Sequence, residues 1–193
     1  MNTLILNGGG NGAPFDAIAD RAAAWARAQG SEVTALDLSA LEIAPCLGCF
    51  SCWTKTPGVC VTRDAMDGIL AGLAAADTLI WVTPIRFGGY GYHLKKALDR
   101  SIPVLLPFFI KIGGEIHHPM RYGTAWRLVA LGTLPAPDAK IERIYHALVA
   151  RNAINMHAKP TSLVLYETAD NGRWEDKLSG VAAAAPAAME ARP

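Results

Sequence analysis

The stretch Leu4-Ile5-Leu6-Asn7-Gly8-Gly9-Gly10-Asn11-Gly12 joins a short apolar run to a glycine-rich turn. An apolar run bounded by such a turn is typical of a buried parallel strand. Pro14 suits the first turn of a helix, and Gly30 is a typical stop signal at its end. The first 30 residues therefore predict a strand, a tight turn and a helix.

The same alternation of strand and helix repeats along the chain. Apolar runs predict five strands, over residues 4–6, 32–37, 78–82, 127–131 and 162–166. Apolar residues at helical spacing predict further helices over residues 64–74, 92–102 and 138–152. This alternation predicts an α/β fold with a doubly wound parallel sheet, because strands covered by helices on both faces are apolar throughout. The alanine-rich residues 175–193 predict a last helix or tail.

Length and composition limit the classes of function. The 193 residues, 51% of them hydrophobic, suit one domain spanning residues 1–193. A net charge of +1 gives no reason to expect nucleic acid or an acidic membrane as a partner. The apolar start of the chain is too short for a signal peptide or a membrane span, so we expect a cytoplasmic protein.

All four cysteines fall within residues 46–60, a cysteine-rich insertion between the second and third predicted strands. Cys46, Cys49 and Cys52 are spaced as in bacterial ferredoxins, and Cys60 follows the Pro57-Gly58 turn. Such spacing lets several thiolates approach one centre, which indicates a metal site, an iron–sulfur site or redox chemistry. Three alternatives stay open: a [4Fe–4S] cluster, a zinc ion, or free thiols that shape a pocket or a subunit contact.

Three loops are expected at the carboxyl ends of the strands, where ligands bind in doubly wound sheets: residues 7–13, 83–90 and 132–137. Glycines in the first loop would let the backbone approach a phosphate, although a plain strand-to-helix turn has the same composition. In the second loop, Phe87 and Tyr90 suit contact with a flat ring, although an ordinary loop with buried aromatic residues remains an alternative.

Three motifs together resemble the flavodoxin-like NAD(P)H-dependent FMN reductases. They are Asn7-Gly8 after the first strand, Thr83-Pro84-Ile85-Arg86-Phe87-Gly88, and Leu94-Lys95-Lys96-Ala97-Leu98-Asp99-Arg100. The cysteines followed by Asp64-Ala65-Met66 resemble the iron–sulfur flavoprotein branch of that family. The resemblance covers residues 1–105 in detail and the remainder by fold pattern.

The resemblance implies a five-stranded flavodoxin-like sheet with strand order 2-1-3-4-5, bound FMN, and assembly into a homodimer or homotetramer. It implies that NAD(P)H is the co-substrate and that a quinone, a flavin or another small molecule accepts the electrons. Because the cofactor carries the redox chemistry, no catalytic acid or base is expected. A non-enzymatic electron carrier and a thiol redox sensor are the alternative functions.

The family's functional positions carry over to this chain in four groups. The FMN phosphate is assigned to Asn7, Gly8, Gly9, Gly10, Asn11, Gly12 and Ala13. The isoalloxazine ring is assigned to Thr83, Pro84, Ile85, Arg86, Phe87, Gly88 and Gly89, with Gly132 and Thr133 on its other side. The cluster is assigned to Cys46, Cys49, Cys52 and Cys60. Two departures stand out: the phosphate loop lacks the usual Ser, Thr or Arg, and Arg86 stands where an aromatic residue is common.

Residues 114–122, which include His117, His118 and Arg121, form an unusual polar cluster after an apolar stretch. One interpretation places this segment at the rim of the pocket, and the other makes it a structural hairpin or interface. Adjacent histidines point in different directions, so they are not expected to form a metal pair. The apolar residues 103–112 suit a subunit contact if they are exposed.

Overall fold

A computed structural model describes residues 1–10, 12, 14–123, 125–167 and 171–178. Within them, helices flank a sheet in which five strands run parallel. The strands are β1 (Asn2–Asn7), β2 (Glu32–Asp37), β3 (Thr78–Arg86), β4 (Gly89–Tyr90), β5 (Ile110–Ile112), β6 (Glu115–His117), β7 (Arg127–Leu134) and β8 (Lys159–Tyr166). The α-helices are α1 (Phe15–Ala28), α2 (Ser51–Thr54), α3 (Met66–Ala75), α4 (Tyr92–Asp99) and α5 (Ala139–Asn155).

The order of the parallel strands is β2-β1-β3-β7-β8. This order confirms the predicted doubly wound, flavodoxin-like arrangement 2-1-3-4-5, with β7 and β8 as the fourth and fifth parallel strands. Two additions were not predicted: β4 pairs antiparallel with the end of β3, and β5 and β6 form a separate two-stranded hairpin.

Alternate residues of the central strands supply two hydrophobic cores, one on each face of the sheet. Leu79 and Trp81 of β3 face one core, and Ile80 and Val82 face the other. Side chains point to opposite faces at successive strand positions, so a strand buried on both sides must be apolar at every position. This requirement explains the continuous apolar runs in the sequence.

Two predicted strand ends are wrong. β3 continues past Val82 to Arg86, and β7 continues past Gly132 to Leu134. Both strands extend because Thr83 pairs with Gly132 and Pro84 with Thr133. β1 ends opposite Val82, so the proline lies where β3 no longer has a parallel neighbour on that side. Cross-strand pairing thus overrides the local signals of proline and glycine.

Other boundaries shift by a few residues. α4 ends at Asp99, and a short 3₁₀ helix over Ile102–Val104 follows it. At the C-terminal side, a 3₁₀ helix spans Trp174–Leu178, and Trp174 is buried against the second core. The rest of the predicted alanine-rich helix or tail, residues 179–193, lies outside the described residues. Among the helices that the structure describes, none is long and apolar enough to cross a membrane.

The end of β1 packs closely against α4, and this contact makes a testable prediction. A Cβ added at Gly8 would lie 2.7 Å from the Cβ of Leu94 and 2.8 Å from its backbone nitrogen. Because the backbone of α4 cannot move aside cheaply, we expect Gly8→Ala to lower the free energy of unfolding by about 1–3 kcal/mol. Denaturant unfolding measures this loss.

Gly68→Ala is the matched control for Gly8→Ala. Gly68 lies in α3, and a Cβ added there meets no atom within 4 Å. Alanine has a higher helix propensity than glycine, so this variant is expected to be up to about 1 kcal/mol more stable than the parent. Equal effects of the two substitutions would contradict the predicted close contact at Gly8.

Candidate active site

The three predicted ligand loops begin at neighbouring positions toward the carboxyl end of the parallel sheet. Asn7 pairs with Val82 across β1 and β3, and the N–H of Gly8 donates to the carbonyl of Val82 at 2.8 Å. On the other side of β3, Thr83 pairs with Gly132. The structure therefore places the first residues of the three predicted loops side by side toward the carboxyl end of the sheet, although β3 and β7 continue past these positions.

The first loop already holds an anionic group of the protein itself. The carboxylate of Asp16, in the first turn of α1, accepts hydrogen bonds from the N–H of Gly12 at 3.1 Å and the side-chain amide of Asn7 at 3.0 Å. The Asn7 carbonyl oxygen accepts from the N–H of Gly9 at 3.0 Å. These donors lie between the last residue of β1 and the start of α1, and the start of a helix favours an anion. The loop thus fits a phosphate, with Asp16 as a competing anion.

Two glycines of the loop have backbone angles that other residues rarely adopt. Gly10 and Gly12 have φ values of 87° and 111°, and an added Cβ at either would meet no atom within 4 Å. Only glycine adopts such backbone angles readily, so these two positions have a structural need for it. Asn11 and Ala13, which were also assigned to the phosphate, lie outside the described residues.

The second loop is a tight hairpin between β3 and β4. Phe87 and Gly88 form its turn with φ values of 52° and 81°, and Arg86 pairs with Gly89. Two successive positive φ values are typical of a type I′ turn, which glycine satisfies and phenylalanine rarely adopts. Phe87 is nonetheless 100% exposed at the tip. An exposed aromatic side chain held in a strained backbone is a feature of functional sites.

Most other residues assigned to the ring lie inside the protein. Thr83, Pro84 and Ile85 are buried in β3, and Tyr90 packs edge-on against Trp81 and Tyr145. From the second loop, Arg86 and Phe87 are exposed and Gly89 is partly exposed. The ring contacts assigned to this loop therefore remain a prediction that depends chiefly on these residues.

Gly132 and Thr133, assigned to the other side of the ring, are buried in β7. A Cβ added at Gly132 would lie 2.7 Å from Ile85 and from Tyr145, and the Thr133 hydroxyl donates to the Glu167 carboxylate at 3.1 Å. Glycine at position 132 therefore permits the close approach of β3 and α5. A contact with the ring stays a prediction for both residues.

All four cysteines line one cavity of about 800 Å³. Cys46 and Cys49 are exposed, and Cys52 and Cys60 are half-buried. Arg86 and Phe87, at the tip of the second loop, line the same cavity. The structure therefore brings the cysteine segment and the exposed part of the predicted ring loop to one place.

Within the described part of the chain, no three or more His, Cys, Asp or Glu side chains are arranged to hold a metal ion. A single zinc ion requires four ligands at about 2.0–2.3 Å from one point. A [4Fe–4S] cluster differs because each thiolate binds a separate iron of the cube. The cluster, the zinc ion and the free thiols therefore all stay predictions for these four cysteines.

The local environment gives the thiols different acidities. Burial raises the pKa of Cys52, and negative charge on the neighbouring cysteines, Cys60 foremost, would raise it further. A hydrogen bond from the Ser51 hydroxyl lowers the pKa of the exposed Cys49.

A buried ion pair borders the cysteine segment. Arg100 is 2% exposed, and its Nη1 donates to the Asp64 carboxylate at 2.5 Å and to the Ala44 carbonyl at 3.1 Å. Its Nη2 donates to the Thr62 carbonyl at 2.8 Å and to the Cys60 sulfur at 3.3 Å. Arg100 was not predicted to have a role at the site, although it belongs to one of the motifs that resemble the family.

Asp64 responds to this environment. Burial acts to raise the pKa of its carboxyl, but the Arg100 guanidinium and the N–H groups of Ala44 and Met66 outweigh burial and hold the pKa below its usual value. The N–H of Met66 begins α3, so Asp64 contributes to that helix start as the sequence predicted. The ionised carboxylate is therefore the form that the fold stabilises.

Part of the histidine-rich segment lies in the β5–β6 hairpin, and His117 and His118 also line a second cavity of about 570 Å³, so both interpretations of the segment stay predictions. His117 lies on β6 and is within hydrogen-bond distance of Asn155 at 3.1 Å. The ring of His118 lies 4.6 Å from Trp53 and 5.0 Å from Phe109, measured between centroids. Trp53 belongs to the cysteine segment, so the hairpin packs against the side of that segment.

The chain belongs to the NADPH-dependent FMN reductase family, which matches residues 1–131. An iron–sulfur flavoprotein of Methanocaldococcus jannaschii is 37% identical over 90 residues, 46% of each chain. The chain therefore spans less than half the length of the curated relatives it matches.

Solved structures share the fold at low sequence identity. The NAD(P)H:quinone oxidoreductase of Methanothermobacter marburgensis has a TM-score of 0.64 and 13% identity, and the match covers 92% of each chain. An FMN-dependent NADH-azoreductase of Bacillus anthracis, solved with FMN, has a TM-score of 0.58 and 14% identity, with 94% of this chain and 97% of that chain covered. These likenesses identify a flavodoxin-like architecture.

Proposed function

We propose that this protein is an FMN-dependent oxidoreductase that takes electrons from NAD(P)H and delivers them to a quinone, a flavin or another small acceptor. The observation that carries the proposal is the shared cavity, in which the exposed tip of the ring loop and all four cysteines meet. Membership of the FMN reductase family supports the choice of cofactor and nicotinamide.

The first loop and the hairpin would hold FMN. The donors that now bind the Asp16 carboxylate would bind the phosphate, and Arg86 and Phe87 would lie toward the ring. When bound, FMN would supply the redox chemistry, because it can accept a hydride and pass electrons on singly or in pairs. The protein would orient the FMN. A positive charge at Arg86 would favour negative charge on a neighbouring ring.

Cys46, Cys49, Cys52 and Cys60 would hold a [4Fe–4S] cluster at the wall of the same cavity. The curated relatives that are iron–sulfur flavoproteins and the common cavity support this assignment. A cluster supplies one-electron transfer, and its thiolate ligands and their hydrogen bonds set its potential.

FMN binding and NAD(P)H oxidation test this function. Flavin fluorescence measured during titration with the protein gives the affinity for FMN, and NADPH or NADH consumption with a soluble quinone gives the activity. We expect FMN to bind and the nicotinamide to be oxidised only when FMN is present. Protein that neither binds FMN nor oxidises either nicotinamide would overturn the proposal.

The exposure of Cys46 and Cys49 favours a thiol redox sensor as the second candidate function. Accessible thiols are oxidised reversibly by peroxide, which can change a contact with a partner. Thiol titration before and after peroxide treatment measures this response. Unchanged thiols in metal-free protein would remove this candidate.

We also propose that the protein assembles with copies of itself as a homodimer or homotetramer. Phe108, Phe109 and Ile116 are exposed near the β5–β6 hairpin, within or next to the apolar segment predicted to make a subunit contact. Exposed apolar side chains that lie close together favour burial against another surface. Sedimentation equilibrium would give the assembly state, and a monomer at all concentrations would contradict it.

The position of Asp16 predicts that its charge weakens FMN binding. An Asp16→Asn substitution removes a negative charge beside the phosphate donors while keeping a side chain that can accept one hydrogen bond. We expect FMN to bind about tenfold more tightly, because repulsion between charges a few ångströms apart is lost. Riboflavin, which lacks the phosphate, should show no gain.

Asp20→Asn is the control for this substitution. Asp20 lies one turn further along α1 and is exposed. We expect it to change FMN affinity less than twofold, since solvent and salt screen exposed charges at longer range. Equal gains for FMN and riboflavin in the Asp16 variant would contradict a phosphate at this loop.

A further inference from the structure

The cysteine segment is closed at both ends by one guanidinium group. Ala44 precedes Cys46, while Cys60 and Thr62 stand at the other end of the segment. Arg100 donates to all three of these residues and to Asp64. Since the side chain is almost completely buried, these contacts exclude water and hold a fixed geometry.

Asp64, the other partner of the ion pair, also holds the two ends of the cysteine segment together. Its Oδ2 accepts from the N–H of Ala44 at 2.9 Å as well as from Arg100, and its Oδ1 accepts from the N–H of Met66 at 2.9 Å. Ala44 is thus held through its N–H by the carboxylate and through its carbonyl by the guanidinium. The planar fork of arginine can reach several acceptors at once, which the single ammonium of lysine cannot.

We propose that Arg100 is a positioning residue that closes the cysteine segment and directs a positive charge and a hydrogen bond at the Cys60 sulfur. Closure fixes the path of residues 45–62 whether or not a metal is bound. The effect on a cluster rests on the proposed function: a hydrogen bond and a positive charge at a ligand sulfur raise the reduction potential by favouring the more negative, reduced cluster.

Hydrogen exchange in metal-free, reduced protein tests the closure. We expect Arg100→Gln to speed amide exchange within residues 45–62 at least tenfold, and Arg100→Lys to speed it about three- to tenfold. The control is Arg63→Gln, which removes the same charge from an exposed side chain that pairs with Asp67 outside the cavity. It should leave exchange in this segment unchanged. Wild-type exchange in both Arg100 variants would overturn the proposal.

The reduction potential separates the charge at Cys60 from a merely structural role. In cluster-loaded protein, we expect Arg100→Gln to shift the oxidised-to-reduced ratio at least tenfold toward the oxidised form, which is 59 mV for a one-electron couple. Arg100→Lys keeps the positive charge, so its reduction potential should stay close to that of the wild type. Arg63→Gln should not change the reduction potential. An unchanged potential in Arg100→Gln would overturn the role at Cys60.

The two proposals fail in different ways. Wild-type protein without iron and sulfide would contradict the proposed cluster, and hydrogen exchange would then decide the closure by itself. If Arg100→Gln does not fold, Arg100→Lys provides the exchange comparison, and wild-type rates in that variant would overturn the closure.

Discussion

A Cys60→Ser variant is expected to retain FMN and to lose most of its iron and acid-labile sulfide. Serine keeps the size of the side chain but does not supply the thiolate that an iron–sulfur cluster requires. All four cysteines of this chain are assigned to the proposed cluster, so no spare thiol is left to replace Cys60. Iron and sulfide assays on anaerobically purified protein measure the loss from about four of each per chain.

Val59→Ser is the matched control for the cysteine substitution. Val59 is exposed on the same segment and does not line the cavity with the cysteines. Its replacement introduces the same hydroxyl without removing a thiol, so iron and sulfide should stay at the wild-type level. Full iron content in Cys60→Ser would contradict the assignment of Cys60 as a ligand.

An Asp64→Asn variant is expected to lose about 3 kcal/mol of unfolding free energy at pH 7. The substitution leaves the buried guanidinium of Arg100 without a countercharge, and removing one partner of a buried pair typically costs about 3–5 kcal/mol. The side chains are 1% exposed for Arg100 and 14% exposed for Asp64, so solvent replaces the lost interaction only in part. Urea unfolding at constant ionic strength measures the change.

The same variant should alter the pH dependence of stability. The pKa of Asp64 is lowered in the folded protein, so its ionised form stabilises the fold above its unfolded pKa of about 3.9. This contribution is lost as the pH falls through the lower, folded pKa. We therefore expect the stability of Asp64→Asn to fall less steeply than that of the parent below about pH 4.

Asp67→Asn is the control for both effects of Asp64. Asp67 lies in the first turn of α3 and pairs with the exposed Arg63, and exposed pairs contribute less than about 1 kcal/mol. A loss as large in Asp67→Asn as in Asp64→Asn would show that general charge, and not the buried pair, stabilises this region. If the unfolding free energies of the parent and of Asp64→Asn fell equally steeply at acidic pH, the lowered pKa of Asp64 would be contradicted.

Much of the fold could be predicted because burial constrains the sequence directly. β3 must be apolar at successive positions to supply both cores, and this pattern made it recognisable. The extension of β3 through Pro84 could not be predicted, since it depends on pairing with Thr133, which is distant in sequence. Proline and glycine often end strands because of their local backbone preferences. In β3 and β7, pairing between the two strands outweighs those preferences.

The site was predictable to a similar degree. Cysteine spacing located the segment that lines the cavity, and glycine content located the first loop. The role of Arg100 needed the structure, because its acceptors lie 36 to 56 residues away along the chain. The carboxylate of Asp16 was likewise missed, although an acidic residue at the start of a helix is a recognisable signal for a group that binds backbone N–H donors.

The most direct test of the central claim is an absorption spectrum of protein purified without oxygen, with flavin, iron and acid-labile sulfide measured on the same sample. We expect flavin bands, iron and sulfide together, and bleaching of the flavin bands when NAD(P)H is added. Protein that shows no flavin after FMN is added, or whose flavin bands do not respond to either nicotinamide, would contradict an FMN-dependent oxidoreductase.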